Sequence, residues 1–178
     1  MEPAVLAASL LVGEVLLLSA GFKVSRRAEY ASALASFTAL ERWPEPVRRL
    51  VGLSVPLAEL AIATLILVSS TRVLGVLAAT ILIGAFSAVV ALDRRPAVAR
   101  CGCWGSARLE VPRSAYLVRN GVLLAAAGAA LVGSFAVPVP VPSSQDQVLV
   151  ALMMVPFALL TLELPHFLHI GSIRTVPR

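Results

Sequence analysis

Long apolar runs separated by short charged connections dominate the pattern of this chain. Residues 3–22, 50–69, 73–92 and 116–137 each form a nearly uninterrupted apolar stretch of about twenty residues. At 1.5 Å per residue, that length crosses the ~30 Å hydrocarbon core of a bilayer as an α-helix. A fifth run, residues 148–164, is shorter and contains Pro156 and Glu163. It is expected to be a kinked or tilted span, since proline is tolerated in membrane helices when neighbours satisfy the freed backbone groups. The fold class is therefore an all-α polytopic membrane bundle, one domain over residues 1–178, with four core transmembrane helices and a fifth behind them. The first run lacks a basic segment ahead of it and is interrupted by Glu14, so an uncleaved span is expected rather than a secretory signal.

Between the first two runs, Tyr30, Ala33, Leu34, Phe37 and Leu40 recur at helical spacing, with Glu29, Ser32 and Ser36 on the other side. This predicts an interfacial helix over about residues 27–42, ended by Trp43 and Pro44 near the headgroups. The long connection over residues 93–115 holds the cysteines, and the Pro138-Val139-Pro140-Val141-Pro142 run forms a stiff extended turn.

Composition agrees with this pattern: 58% of residues are hydrophobic and 14% charged, with mean hydropathy +0.89. No soluble domain of 178 residues hides that much apolar surface. Lys23, Arg26, Arg27, Arg42, Arg48 and Arg49 fall in the first connection, Arg94, Arg95, Arg100, Arg108 and Arg113 in the third, and Arg174 and Arg178 in the tail. Only Arg72 lies in the second connection, and none lies in the fourth. The alternation predicts an outside N-terminus and a cytoplasmic cysteine connection, in what the pattern suggests is a bacterial inner membrane. The net charge of +5 is then accounted for by loops beside anionic lipid, and no nucleic-acid partner is implied.

The only two cysteines occur as Cys101-Gly102-Cys103, followed by Trp104 and Gly105. Extended residues i and i+2 lie roughly 7 Å apart, at the limit for bridging, and a bend at Gly102 brings the pair into range. A ring that small is strained and exchanges readily with other thiols. Two inert, buried thiols are the alternative, disfavoured by the polar position and by Arg100 and Arg108 nearby, which would lower a thiolate pKa. His166 and His169 are expected on the same side, so a Cys101, Cys103, His166, His169 metal site is a further alternative. Its C-x-C spacing is tighter than structural zinc normally uses. No metal is the primary expectation.

Polar groups inside the apolar runs are costly unless paired or hydrated. Counted from the ends of their runs, Glu14 and Glu59 lie at similar depths, and Arg119 with Asn120 opens the fourth run. The expectation is a polar cluster beneath the cysteines, either binding a quinone or thiol head group or serving only as an interhelical Glu59–Arg119 ion pair.

Phe22-Lys23 closing the first run, Pro56-Leu57-Ala58-Glu59 in the second, Cys101-Gly102-Cys103-Trp104-Gly105 after the third and Arg119-Asn120 opening the fourth together resemble the MauE group of methylamine-utilisation membrane proteins, relatives of DoxX. The resemblance covers roughly residues 1–137. It implies a membrane protein supporting disulfide chemistry in the maturation of other proteins, beside a thioredoxin-like partner. It further implies that Cys101 and Cys103 are the redox pair and that Glu59, Arg119, Asn120 and Trp104 support them. One cysteine pair cannot relay electrons through successive internal disulfides. Exchange would be direct, with a partner protein, a low-molecular-weight thiol or a quinone, and no cofactor is fixed by the residues. A non-enzymatic membrane assembly factor and a metal or small-molecule carrier remain the alternative classes.

Overall fold

The computed structural model describes residues 3–35, 43–92, 98–99, 111–136 and 143–173. The helices are α1 (Pro3–Ser25), α2 (Arg27–Ala35), α3 (Glu45–Leu67), α4 (Arg72–Leu92), α5 (Arg113–Ala136) and α6 (Ser144–Ile173). A 3-10 turn, Ser69–Thr71, joins α3 to α4. Two short strands, β1 (Val98–Ala99) and β2 (Val111–Pro112), pair antiparallel, Val98 opposite Pro112 and Ala99 opposite Val111.

Helix α1 is the hub. It packs against α3, α5 and α6, while α3 packs on α4 and α4 on α5. α1, α3, α4 and α5 thus close a four-helix bundle, and α6 lies in the outer groove between α1 and α5. This position explains why α1 is the most buried of the four spans, whereas the other three keep one face outside. The core is built from stripes at three- and four-residue spacing: Val12, Leu16 and Ser19 on α1; Glu59, Ala63 and Ile66 on α3; Val76, Ala79 and Ile83 on α4; Leu123, Ala127 and Ala130 on α5. Close approach between α3 and α4 requires Gly75, where an added Cβ would lie 2.7 Å from the Ile66 backbone nitrogen.

The outward faces are equally apolar. Leu50, Leu53, Leu57 and Leu60 on α3, Leu74, Leu77 and Ile81 on α4, and Leu149, Leu152, Met153 and Leu160 on α6 are all exposed. A belt of that extent belongs against lipid rather than water. Four helices have the length and apolarity to cross a membrane: Pro3–Ser25, Glu45–Leu67, Ser69–Leu92 and Arg113–Phe135. In α6 the qualifying apolar part is the shorter segment Gln145–Thr161.

Several boundaries differ from the hydropathy reading. α3 begins at Glu45 rather than Leu50, because Pro44 and Pro46 suit a helix start and Glu45 pairs with Arg48 (2.6 Å) and Arg49 (2.9 Å) along the first turn. Pro44 therefore opens α3 as much as it closes what precedes it. α6 is continuous through Pro156 and Pro165, longer at both ends than the expected 148–164. Of the interfacial helix expected over 27–42, the described part is Arg27–Ala35, with Tyr30 and Leu34 buried as the spacing required. The proline-rich turn 138–142 lies outside the described residues.

Candidate functional site

The ionisable core lies where α1 and α4 end and α2 and α5 begin. On α1 the stripe Leu16, Ser19 and Lys23 runs at three- and four-residue spacing, so Lys23 points inward although it sits in the last turn. On α3, Glu59 occupies the same stripe as Pro56, Ala63 and Ile66. The two meet: Lys23 Nζ donates to Glu59 Oε1, and both side chains are almost wholly buried. Ser19 Oγ donates to the same carboxylate oxygen at 3.3 Å. The ammonium also lies 5.6 Å from the Tyr30 ring centre and 5.4 Å from that of Phe86. Aromatic faces stabilise a cation removed from water. One charge pair therefore draws together α1, α2, α3 and α4.

A second polar group lies on α5. Asn120 Nδ2 donates to Ser87 Oγ at 3.1 Å, and Ser87 in turn donates to the Ile83 carbonyl at 2.7 Å, tying α5 to α4. Arg119 is 8% exposed, yet its Nε and Nη1 have no hydrogen-bond partner among the described residues. Val5 of α1 packs on Gly133 of α5. Fourteen residues separate Val5 from Ser19 and Arg119 from Gly133 on these antiparallel helices, so Arg119 sits at about the level of Ser19.

The expected meeting of Glu14 with Glu59 is replaced by another arrangement. Glu59 is engaged by Lys23 and Ser19, and Arg119 forms no ion pair with Glu14 or Glu59 among the described residues. Glu14 shares the more outward stripe of α1 with Leu17 and Gly21, half-buried, one carboxylate oxygen enclosed and without a partner among the described residues. Its depth matched that of Glu59 only on the assumption that α1 and α3 end flush. Lys23, a loop charge by hydropathy, belongs to the core, and its i+4 spacing from Ser19 is the sequence signal for that.

Cys101, Cys103 and Trp104 lie outside the described residues. The strands flanking them are described: β1 and β2 pair, and β2 leads directly into α5 and packs against α6. The paired strands thus meet where α5 begins, and Arg119 is about 9 Å farther along that helix. His166 and His169 fall in the last turns of α6. Their side chains, and hence the four-residue metal set, lie outside the described residues.

A mostly apolar recess of about 440 Å³ opens beside the ion pair, between α1, α2 and the first turns of α3. At the opposite end of the bundle, Arg72 is buried and structural: Nε donates to the Ile66 carbonyl (3.0 Å) and Nη2 to Gln147 Oε1 (2.8 Å).

The outward apolar belt, the spanning helices and the ionisable core at one end define an integral membrane helical bundle. The chain belongs to the family described as methylamine utilisation protein MauE, whose model matches residues 1–133, through α1 to most of α5. No curated protein and no solved structure matches the chain.

Proposed function

We propose that this protein is a membrane thiol-disulfide redox protein in which Cys101 and Cys103 exchange electrons with a partner protein. The observation supporting this reading most directly is the β1–β2 pairing, which brings the two flanks of the Cys101-Gly102-Cys103 segment together at the head of α5. In the exchange, the thiolate of one cysteine attacks a partner disulfide and forms a mixed disulfide while a partner thiolate leaves. The second cysteine then attacks the mixed disulfide, leaving Cys101–Cys103 oxidised and the partner's two sulfurs as thiols. A thioredoxin-like protein or a low-molecular-weight thiol supplies the two electrons that restore the dithiol. Arg100 and Arg108 favour the attacking thiolate by adjacent positive charge. Arg119, buried with two open donors and about two helical turns below the loop base, adds to the same field. Asn120 acts one step back by tying α5 to α4, the two helices that flank the cysteine connection, and Glu59 holds α1 to α3 beside them.

The charge bias supports a cytoplasmic position for this connection, in our reading at a bacterial plasma membrane, where a reducing thiol pool favours a dithiol resting state. The family's description names methylamine utilisation as the process its members serve. The partner that receives the electrons is a protein disulfide, and its identity is for experiment. The test is turnover of a fluorogenic dithiol-exchange substrate by protein reconstituted in liposomes. C101S and C103S are each expected to abolish turnover, one of them trapping the mixed disulfide. Full activity in either variant overturns the proposal.

A further inference from the structure

We propose that the recess between α1, α2 and the start of α3 binds an anionic phospholipid, with the phosphate at a basic rim and one acyl chain along the α3 wall. Its volume, about 440 Å³, lies within the range of built small-molecule pockets. The floor is apolar. Leu34 of α2 faces Gly52 of α3, and Leu53 and Leu57 line the wall. Those two leucines, 57% and 63% exposed, continue the row Leu50, Leu53, Leu57, Leu60 that forms the lipid-facing side of α3. The recess is therefore open to the acyl region as well as to the headgroups. That geometry suits an amphiphile better than a free anion.

The rim supplies the head-group chemistry. Arg27, Arg48 and Arg49 line it, and Glu45 is the one carboxylate among the described lining residues. Glu45 engages both Arg48 and Arg49, so among the described residues three guanidiniums line the rim against a single carboxylate. Lys23, on the inner side, is committed to Glu59 and adds no net charge. A phosphate with no compensating ammonium matches the remaining positive charge, whereas a choline headgroup would bring its own cation against the arginines. Basic pockets between membrane helices recognise anionic headgroups on this principle. Pro56 has no N–H to offer the Gly52 carbonyl, so the helix wall is also loosened beside the recess.

The experiment is native mass spectrometry of the full-length protein in detergent, titrated with phosphatidylglycerol and phosphatidylcholine of identical acyl chains. Phosphatidylglycerol is expected to be retained with about tenfold preference. L53W fills the recess while leaving every arginine in place, and it should abolish that preference. R27Q, which breaks no ion pair among the described residues, should lower it at least severalfold; L152W, on the outward face of α6, should leave it unchanged. Circular dichroism of each variant verifies the helical fold. Equal retention of the two lipids by the wild-type protein would overturn the site, leaving only non-selective annular lipid. An undiminished preference in folded L53W would overturn it in favour of diffuse surface charge, and complete displacement by inorganic phosphate would assign the rim to a free anion instead.

Discussion

The contact between Lys23 and Glu59 sets two opposite charges against each other in the buried interior of the bundle. Neither charge has water to fall back on, so the energy of each depends on the other and on Ser19, Tyr30 and Phe86 around them. Removing one partner leaves an uncompensated buried charge, at a cost of about 3–5 kcal/mol, whereas replacing both by apolar groups of similar volume is often nearly neutral. K23M and E59Q are therefore each expected to lower the unfolding midpoint in detergent sharply, and K23M/E59L to recover most of the loss. Single variants that melt with the wild type would show that the pair is not holding the helix ends. Lys23 escaped the sequence reading for a physical reason. Hydropathy ends the first span at Phe22, but the helix runs on to Ser25 and its core-facing stripe to Lys23.

At the scale of elements, the close approach of α3 and α4 beside their turn depends on a glycine. An added methyl at Gly75 would lie 2.7 Å from the Ile66 nitrogen and 2.9 Å from the Leu65 carbonyl carbon, so the backbones must part. G75A is expected to destabilise by about 1–3 kcal/mol, the usual cost of overpacking. Gly84, on the same helix, has nothing within 4 Å of that position, and G84A should be neutral or stabilising by up to about 1 kcal/mol through helix propensity. Thermal unfolding of the two variants side by side checks both signs. At the end away from the ion pair, Gln147 bridges Arg72 and Ser69, fastening the start of α6 to the α3–α4 turn. Q147A should cost about 1.5–3 kcal/mol, the range for hydrogen bonds to charged groups, and speed proteolysis between α5 and α6. An unchanged melting curve and digestion rate would count against that fastening. The four core spans were legible because each needs about twenty apolar residues and little else. The start of α3 and the full length of α6 were not legible. Charges paired at i+3 and i+4 extend a helix past its apolar segment, and the prolines of α6 do not interrupt it.

For the whole molecule, the question is what the asymmetry between its two ends accomplishes. The end near Arg72 is sealed by structural hydrogen bonds, while the other carries the Lys23–Glu59 pair, Arg119, the basic recess and the base of the β1–β2 loop. The four spans pass through the membrane in alternating directions, so every feature at that end shares one face of the bilayer. By the positive-inside rule, the cluster Arg26, Arg27, Arg48 and Arg49 at the α1–α3 connection is expected to put that end, with the base of the β1–β2 loop, on the cytoplasmic side. Differential alkylation with a membrane-impermeant maleimide tests this linkage on intact cells and on inverted vesicles. Cys101 and Cys103 should label only in inverted vesicles, and cysteines introduced at Arg49 in α3 and at Ser143 before α6 should label on opposite sides. Labelling of Cys101 and Cys103 from outside, with the Arg49 position labelled there too, would reverse the whole bundle and move the exchange into an oxidising compartment. There the resting state would be the disulfide, and the protein would donate oxidising equivalents instead of reducing ones.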